Sequence, residues 1–254
     1  MTMRLRASLA VLGLLAAPPL SAQSLSLSPA VVELKGTLGQ SSTQILTLTN
    51  GLKTPLAFDL VAQDVVVKDG VRTFLEAGEQ ADSMAATAVF LPASIVVPAG
   101  GSKSVSVTIT ARPPAAHRAV VALFRGRTRV ANGQTGTIAS LGALLTFTLS
   151  DQIQITAAEL VVQPPGAATL LSFTEDLTNT GAEPAIVKGV AAILDAGGRL
   201  VGRAPFEAHR LLPRERGVMR ADYPGELAAG AYRAVATFEY EGRALTKSAE
   251  FVVR

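Results

Sequence analysis

Leu46-Thr47-Leu48-Thr49-Asn50 alternates apolar and polar residues and stops at an asparagine, and Val105-Ser106-Val107-Thr108-Ile109 keeps the same period of two further on. Successive side chains of an extended chain point to opposite faces, so each run has one face for a core and one for water. That is the pattern of antiparallel strands in a sandwich. The chain after Gln23 agrees, because short β-branched runs are separated by Gly, Pro, Asn and Asp, and no stretch holds a 3.6-residue apolar period over a helical length. Val65-Val66-Val67-Lys68-Asp69-Gly70-Val71-Arg72 places Asp-Gly between two extended runs, the dipeptide that tolerates the positive φ of a tight hairpin. Similar turns are expected at Ala196-Gly197-Gly198 and Glu241-Gly242. The fold class read from these runs is all-β.

Three landmarks occur twice in the same order. Thr49-Asn50 followed by Pro55 returns as Thr178-Asn179 followed by Pro184, Val97-Pro98 as Leu212-Pro213, and Arg118-Ala119-Val120 as Arg233-Ala234-Val235. From proline to arginine the interval is 20 residues in both copies (118 − 98 and 233 − 213). The first landmark is displaced by 129 residues (179 − 50) and the later two by 115 (213 − 98), so the first copy carries 14 extra residues (129 − 115). The Ala-, Gly- and acid-rich segment near 76–87 is the place expected for that insertion. About seven strands in roughly 100 to 125 residues is the size of an immunoglobulin-like sandwich. The chain therefore reads as two immunoglobulin-like β-sandwich domains in tandem, residues 23–150 and 154–254, with the junction near Ser150 to Ile153. Pro164-Pro165-Gly166 reads as a turn inside the second domain.

Ahead of these domains, Arg4 and Arg6 precede an apolar run from Ala7 to Ala17, then Pro18-Pro19-Leu20-Ser21-Ala22 breaks the run and ends on small residues. This is the order of a signal peptide over residues 1–22. The competing reading, a membrane anchor, needs roughly 20 uninterrupted apolar residues. Removal of the signal leaves 21 Lys plus Arg (23 − 2) against 20 Asp plus Glu, a net charge near +1 that gives no electrostatic footprint for nucleic acid. No later segment has the apolar length of a spanning helix, so the expected location is the periplasm or the cell surface beyond it.

Chemistry-bearing constellations are sparse. The absence of cysteine excludes disulfides, a thiol nucleophile, Cys-ligated metal and lipidation of the processed N-terminus. The two histidines, His117 and His209, fall in different repeats without a metal-ligand spacing. GxSxG, SxxK, P-loop and calcium-loop patterns are missing, so no catalytic residue, metal or cofactor is expected and the chain is read as a non-enzyme. Arg199, Arg203, Arg210, Arg214, Arg216 and Arg220 make one region basic, as Arg125, Arg127 and Arg129 do another. Such groups fork onto carboxylates or other anions, or simply guard solvated sheet edges. Without Trp and with few Tyr or Phe, the chain has no stacking platform for single-stranded nucleic acid.

One stretch invites a partner. From Ala139 the odd positions run Ala139, Leu141, Ala143, Leu145, Phe147 and Leu149, while the even positions include Ser140, Gly142, Thr146 and Thr148 but also Ile138 and Leu144. It reads as the long last strand of the first domain. Its odd face either closes that domain's core or pairs with another chain by β-augmentation, through Leu141, Ala143, Leu145, Phe147 and Leu149.

The layout resembles the periplasmic pilus-assembly chaperones of the PapD-like superfamily. The resemblance is carried by the signal peptide, the opening strand Leu25 to Leu34, the strand and turn Leu46 to Asn50, Val97-Pro98-Ala99-Gly100-Gly101-Ser102-Lys103-Ser104-Val105, and the long alternating strand before a second sandwich. It implies two sandwiches meeting at an angle, a long strand that completes a subunit's unfinished sheet, and a basic pair in the cleft that anchors the subunit's C-terminal carboxylate. No arginine occurs between Leu25 and Leu34 and no lysine between Thr137 and Leu149, so neither member of that pair carries over. The function expected is therefore that of an exported, non-enzymatic binding or assembly protein, pilus-chaperone-like, that captures a secreted or pilus-like subunit by strand pairing. The alternative is a structural or adhesive cell-envelope module whose immunoglobulin-like domains act as spacers.

Overall fold

Period-two alternation and β-branched residues make nearly every segment a strand. The computed structural model describes residues 25–113, 117–129, 135–166 and 169–254, so the signal-peptide expectation for residues 1–22 lies outside the described residues. The first domain comprises β1 (Leu25–Ser28), β2 (Val31–Lys35), β3 (Ser41–Asn50), β4 (Leu56–Lys68), β5 (Val71–Glu76), a 3₁₀ turn at Ala85–Thr87, β6 (Val89–Leu91), β7 (Ser94–Val97), β8 (Ser102–Thr110), β9 (Ala119–Arg129) and β10 (Thr135–Thr148). The second comprises β11 (Ile155–Ala157), β12 (Val161–Gln163), β13 (Leu171–Asn179), β14 (Ala185–Asp195), β15 (Leu200–Leu211), β16 (Arg216–Tyr223), β17 (Gly230–Tyr240) and β18 (Arg243–Val253).

Each domain is an immunoglobulin-like sandwich of two sheets. In the first, the order β1-β3-β8-β6 faces β2-β10-β9-β4-β5, with β7 also on β4. Pro29 separates β1, antiparallel to β3, from β2, parallel to β10. Proline has no N–H to continue a ladder, and here the chain passes from one sheet to the other. In the second, β13 carries β11 and β12 on one side and β16 on the other, facing the order β15-β14-β17-β18. The alternating runs behave as their period dictates. Leu46, Leu48, Val105, Val107 and Ile109 are fully buried, while hydroxyls on the outer face pair across β3 and β8, Thr43 with Thr108 at 2.7 Å and Thr47 with Ser104 at 3.0 Å. Positive φ at Asp69, Gly70, Gly198, Glu241 and Gly242 matches the three tight turns.

The asparagines of the repeat prove to be buried staples. Asn50 donates from Nδ2 to the carbonyls of Thr54 at 2.8 Å, Val97 at 3.2 Å and Pro98 at 3.2 Å, and its Oδ1 accepts from Leu52 N at 3.0 Å. Asn179 donates to Glu183 O at 2.8 Å and Leu211 O at 3.0 Å and accepts from Gly181 N at 2.9 Å. Each staple closes its β3–β4 or β13–β14 turn and pins it to the end of a third strand. The rest of the frame repeats at an offset of 114, not 115. Val120, Ala122 and Phe124 point inward on β9 and Ala234, Ala236 and Phe238 on β17 (234 − 120, 236 − 122, 238 − 124). The Arg-Ala-Val and proline landmarks are thus one residue out of structural register, which on a strand exchanges the two faces. The partner of β4 is split into β5 and β7, whereas the partner of β14 is the single strand β15. Residues between β5 and β6 are stitched down by buried Asp64, which accepts from Ser83 Oγ at 2.5 Å and Ala85 N at 2.9 Å.

At about 1 kcal/mol net per buried hydrogen bond, Asn50→Ala is expected to lower stability by about 4 kcal/mol and Asn179→Ala by about 3 kcal/mol. Urea unfolding should show a lower midpoint at an unchanged slope.

Candidate functional site

The long strand β10 is covered unevenly. On one side it pairs with β9 from Thr135 to Thr146, with a register shift between Thr137 and Ser140. On the other, β2 covers only Leu144 to Thr148, starting from the bond Leu144 N to Ala30 O at 2.9 Å. Among the described residues no strand pairs with that second side upstream of Leu144, although β1 passes close to it on its way to the opposite sheet. Amides two residues apart on a strand point the same way, so the N–H groups of Gly142 and Ser140 face this open edge. At the register shift Gly126 lets β9 approach closely, since a Cβ there would lie 2.4 Å from Ala139 O.

The side chains named from the alternation face the other way. Ala143, Leu145 and Phe147 are 0%, 1% and 2% exposed and sit in the first domain's core, against which Leu141 and Leu149 also pack. Ala143, Leu145 and Phe147 thus close that core and Leu141 and Leu149 line its margin half-buried, because the odd face of β10 is the face turned toward the opposite sheet. The outward face carries Gly142, Leu144 and Thr146. Register places Val31, Leu144, Val121 and Gln63 in one row across β2, β10, β9 and β4. Val31 is 48% exposed, and the half-buried Leu144 and Val121 pack onto Val65, Ala119 and Leu212. Leu212 belongs to the second domain, so this outward apolar row runs straight into the inter-domain contact. The sequence signal for it was Leu144, the apolar residue at an even position that breaks the alternation.

The second domain is held beside this row by arginine–carboxylate pairs. Arg118 Nε donates to Glu183 at 2.9 Å, and the fully buried Glu183 carboxylate also accepts from Leu149 N at 3.1 Å and Ser150 Oγ at 2.7 Å. Arg72 forks onto Glu215 at 2.7 and 3.1 Å and reaches Arg210 O at 2.8 Å. Arg210 in turn bonds Glu33 on β2 and Thr146 on β10. Of the basic stretches Arg210 is thus drawn into the inter-domain contact, while several others pair with carboxylates on the surface. Arg199 pairs with Asp195 at 3.1 Å, Arg220 with Asp222 at 3.1 Å and Arg125 with Glu76 at 2.9 Å. Arg127 pairs with Asp59, and the Arg216 stem covers Gly70. His117 bonds Gln80 at 2.7 Å, while His209 lies over Gly217, and the two are not brought together. Among the described residues no group of three or more His, Cys, Asp or Glu is placed to hold a metal ion.

No family model and no curated protein matches the chain. Its structure is similar to several solved fimbrial chaperones. The class 5 fimbriae chaperone CfaA has 13% identity and a TM-score of 0.45, covering 91% of this chain and 99% of its own. A chain of the CsuC–CsuE chaperone–tip adhesion subunit complex of Acinetobacter baumannii has 10% identity and a TM-score of 0.42, covering 89% and 97%. The E. coli chaperone DraB has 14% identity and a TM-score of 0.37, covering 91% and 96%.

Two substitutions check the geometry. Leu145→Ala is expected to cost about 2–5 kcal/mol of stability, the range for emptying a packed core site. Glu183→Thr places there the residue that stands at the matching turn position of the first domain, Thr54, and strands the Arg118 guanidinium. Breaking one partner out of a buried pair costs on the order of 3–5 kcal/mol. Urea unfolding reads both, and small-angle X-ray scattering should show a broadened inter-domain distance for Glu183→Thr alone.

Proposed function

We propose that the protein is an exported, non-enzymatic assembly chaperone of the periplasm that holds a partner chain as an added strand along the open edge of β10. The observation that carries this reading is the mismatch between β10 and β2. An unpaired strand edge is a template for another chain, and natural sheets usually shorten, charge or cover it. Here β10 runs past the point where β2 begins, and the exposed main chain at Ser140 and Gly142 lies beside the apolar row of Val31, Leu144 and Val121. Main-chain bonds supply affinity in this mode and alternate side chains supply selectivity.

The partner class is the one implied by the resemblance of the sequence, a secreted or pilus-like subunit. Neither member of the basic pair that resemblance implies carries over to a residue of this chain, and β2 and β10 bring the apolar Val31 and Leu144 side by side. The partner is therefore held there by an apolar side chain, with its main chain on β10, and needs no terminal carboxylate. The edge, not the odd-face side chains of β10, makes the contact.

Leu144 is already partly covered by Val65, Ala119 and Leu212, so a partner that buries its remaining surface gains at most about 1 kcal/mol of the 1.5–3 for a whole leucine, and Leu144→Glu should weaken capture by roughly 2- to 5-fold. The wild-type protein recovered from the periplasm should carry a stoichiometric secreted partner and the variant less of it; Val31→Glu, at the exposed position of the same row, should also lower recovery while its melting temperature moves by no more than a few degrees. Equal recovery by all three proteins, or a partner-free wild type, would overturn the reading.

A further inference from the structure

The inward positions of β13 match those of β3 at a constant offset: Leu177 corresponds to Leu48, Asn179 to Asn50, and Glu175 to Leu46 (177 − 48, 179 − 50, 175 − 46). Leu46 and Glu175 are both 0% exposed. A core leucine in one domain is thus a glutamate in the other, and neither Glu175 Oε1 nor Oε2 has a hydrogen-bond partner. Buried polar groups are almost always bonded, and an ionised carboxylate without a partner is the costliest exception.

The surroundings leave the charge unanswered. The neighbour across the ladder on β16 is Met219. The opposite sheet lines the same core with Ala191 and Ile193 on β14 and Ala236, Phe238 and the buried Tyr240 on β17. On the other side of β13, the main chain between β11 and β12 closes over Asp176 through Ala158 N to Asp176 O at 3.0 Å. Two charges act on the site. Lys247, half-buried between Leu245 and Ala249 on β18, favours the carboxylate without bonding it, and exposed Asp176 on the outer face opposes it.

We propose that Glu175 is a proton-linked switch in the second domain: the folded sandwich holds it as the neutral acid, and its ionisation at neutral and higher pH loosens the domain. The group behaves accordingly, since burial pushes its pKa from the ordinary 4.5 up to about 7, with Lys247 pulling down and Asp176 pushing up. The folded state binds the extra proton, so this contribution to stability is complete below the unfolded value and is lost as pH rises through about 7. The same edge of the sandwich offers the charged form a route to a partner, because Lys247 stands on β18, the outermost strand of its sheet. The first domain, with Leu46 at the matching site, has no such dependence.

The test uses the full chain, because Tyr223, Tyr232 and Tyr240 all lie in the second domain and the protein has no tryptophan. Tyrosine fluorescence therefore follows that domain alone during urea unfolding. Between pH 5 and pH 8.5 the wild-type unfolding constant should rise on the order of 100-fold relative to that of Glu175→Leu, whose own profile cancels the contributions common to both proteins. Glu175→Gln, which keeps the shape and cannot ionise, should follow the leucine variant and serves alone if leucine does not fold. Lys247→Met should move the wild-type transition to higher pH. Parallel profiles for wild type and both Glu175 variants, or a Glu175 carboxyl that titrates near 4.5 in carbon-detected NMR, would overturn the proposal.

Discussion

Glu183 is where the two halves of the molecule are tied together. Its main-chain carbonyl accepts from the Asn179 staple, so the turn it occupies is rigid, and its fully buried carboxylate gathers Arg118 Nε, Leu149 N and Ser150 Oγ from the first domain and the linker. Three donors around one carboxylate satisfy the charge where water cannot reach it, the condition a buried ion pair must meet. The end of β10, the start of β9 and the head of β14 are thereby fixed to one another. The clamps of Arg72 on Glu215 and Arg210 on Glu33 then act on domains already held in place.

From that junction follows the environment of the β10 edge. Leu212 is brought against Val65 and Ala119, and the apolar row of Val121 and Leu144 continues the contact outward. The edge is therefore an open ladder bordered by an apolar strip that the second domain closes at one end. A lone first domain would keep the open ladder and lose that closed end.

The two domains are variations on one frame, and their differences mark what each has been fitted to do. The turn closed by Asn50 carries Thr54 where the turn closed by Asn179 carries Glu183, and only the second turn meets a neighbouring domain. The single strand β15 of the second domain is split in the first, with the intervening segment fastened through Asp64. Leu46 gives way to Glu175 at a site of equal burial, which leaves the second core with a group that answers to protons.

The sequence by itself determined the all-β class, the tandem of two sandwiches and the asparagine turns, because alternation, turn residues and a repeated order are properties of neighbours along the chain. It also showed the long strand and the apolar residue at position 144 that breaks its pattern. It did not tell what covers the apolar odd face of β10, since the opposite sheet of its own domain and a partner chain would bury that face equally well. The repeat was legible only to within one residue, and on a strand that one residue separates core from surface. A pairing such as Arg210 with Glu33, 177 residues apart, turned one arginine of a seemingly free basic stretch into an inter-domain clamp. Burial and charge pairing are decided by what arrives from elsewhere in the chain, and only the tertiary structure shows the arrival.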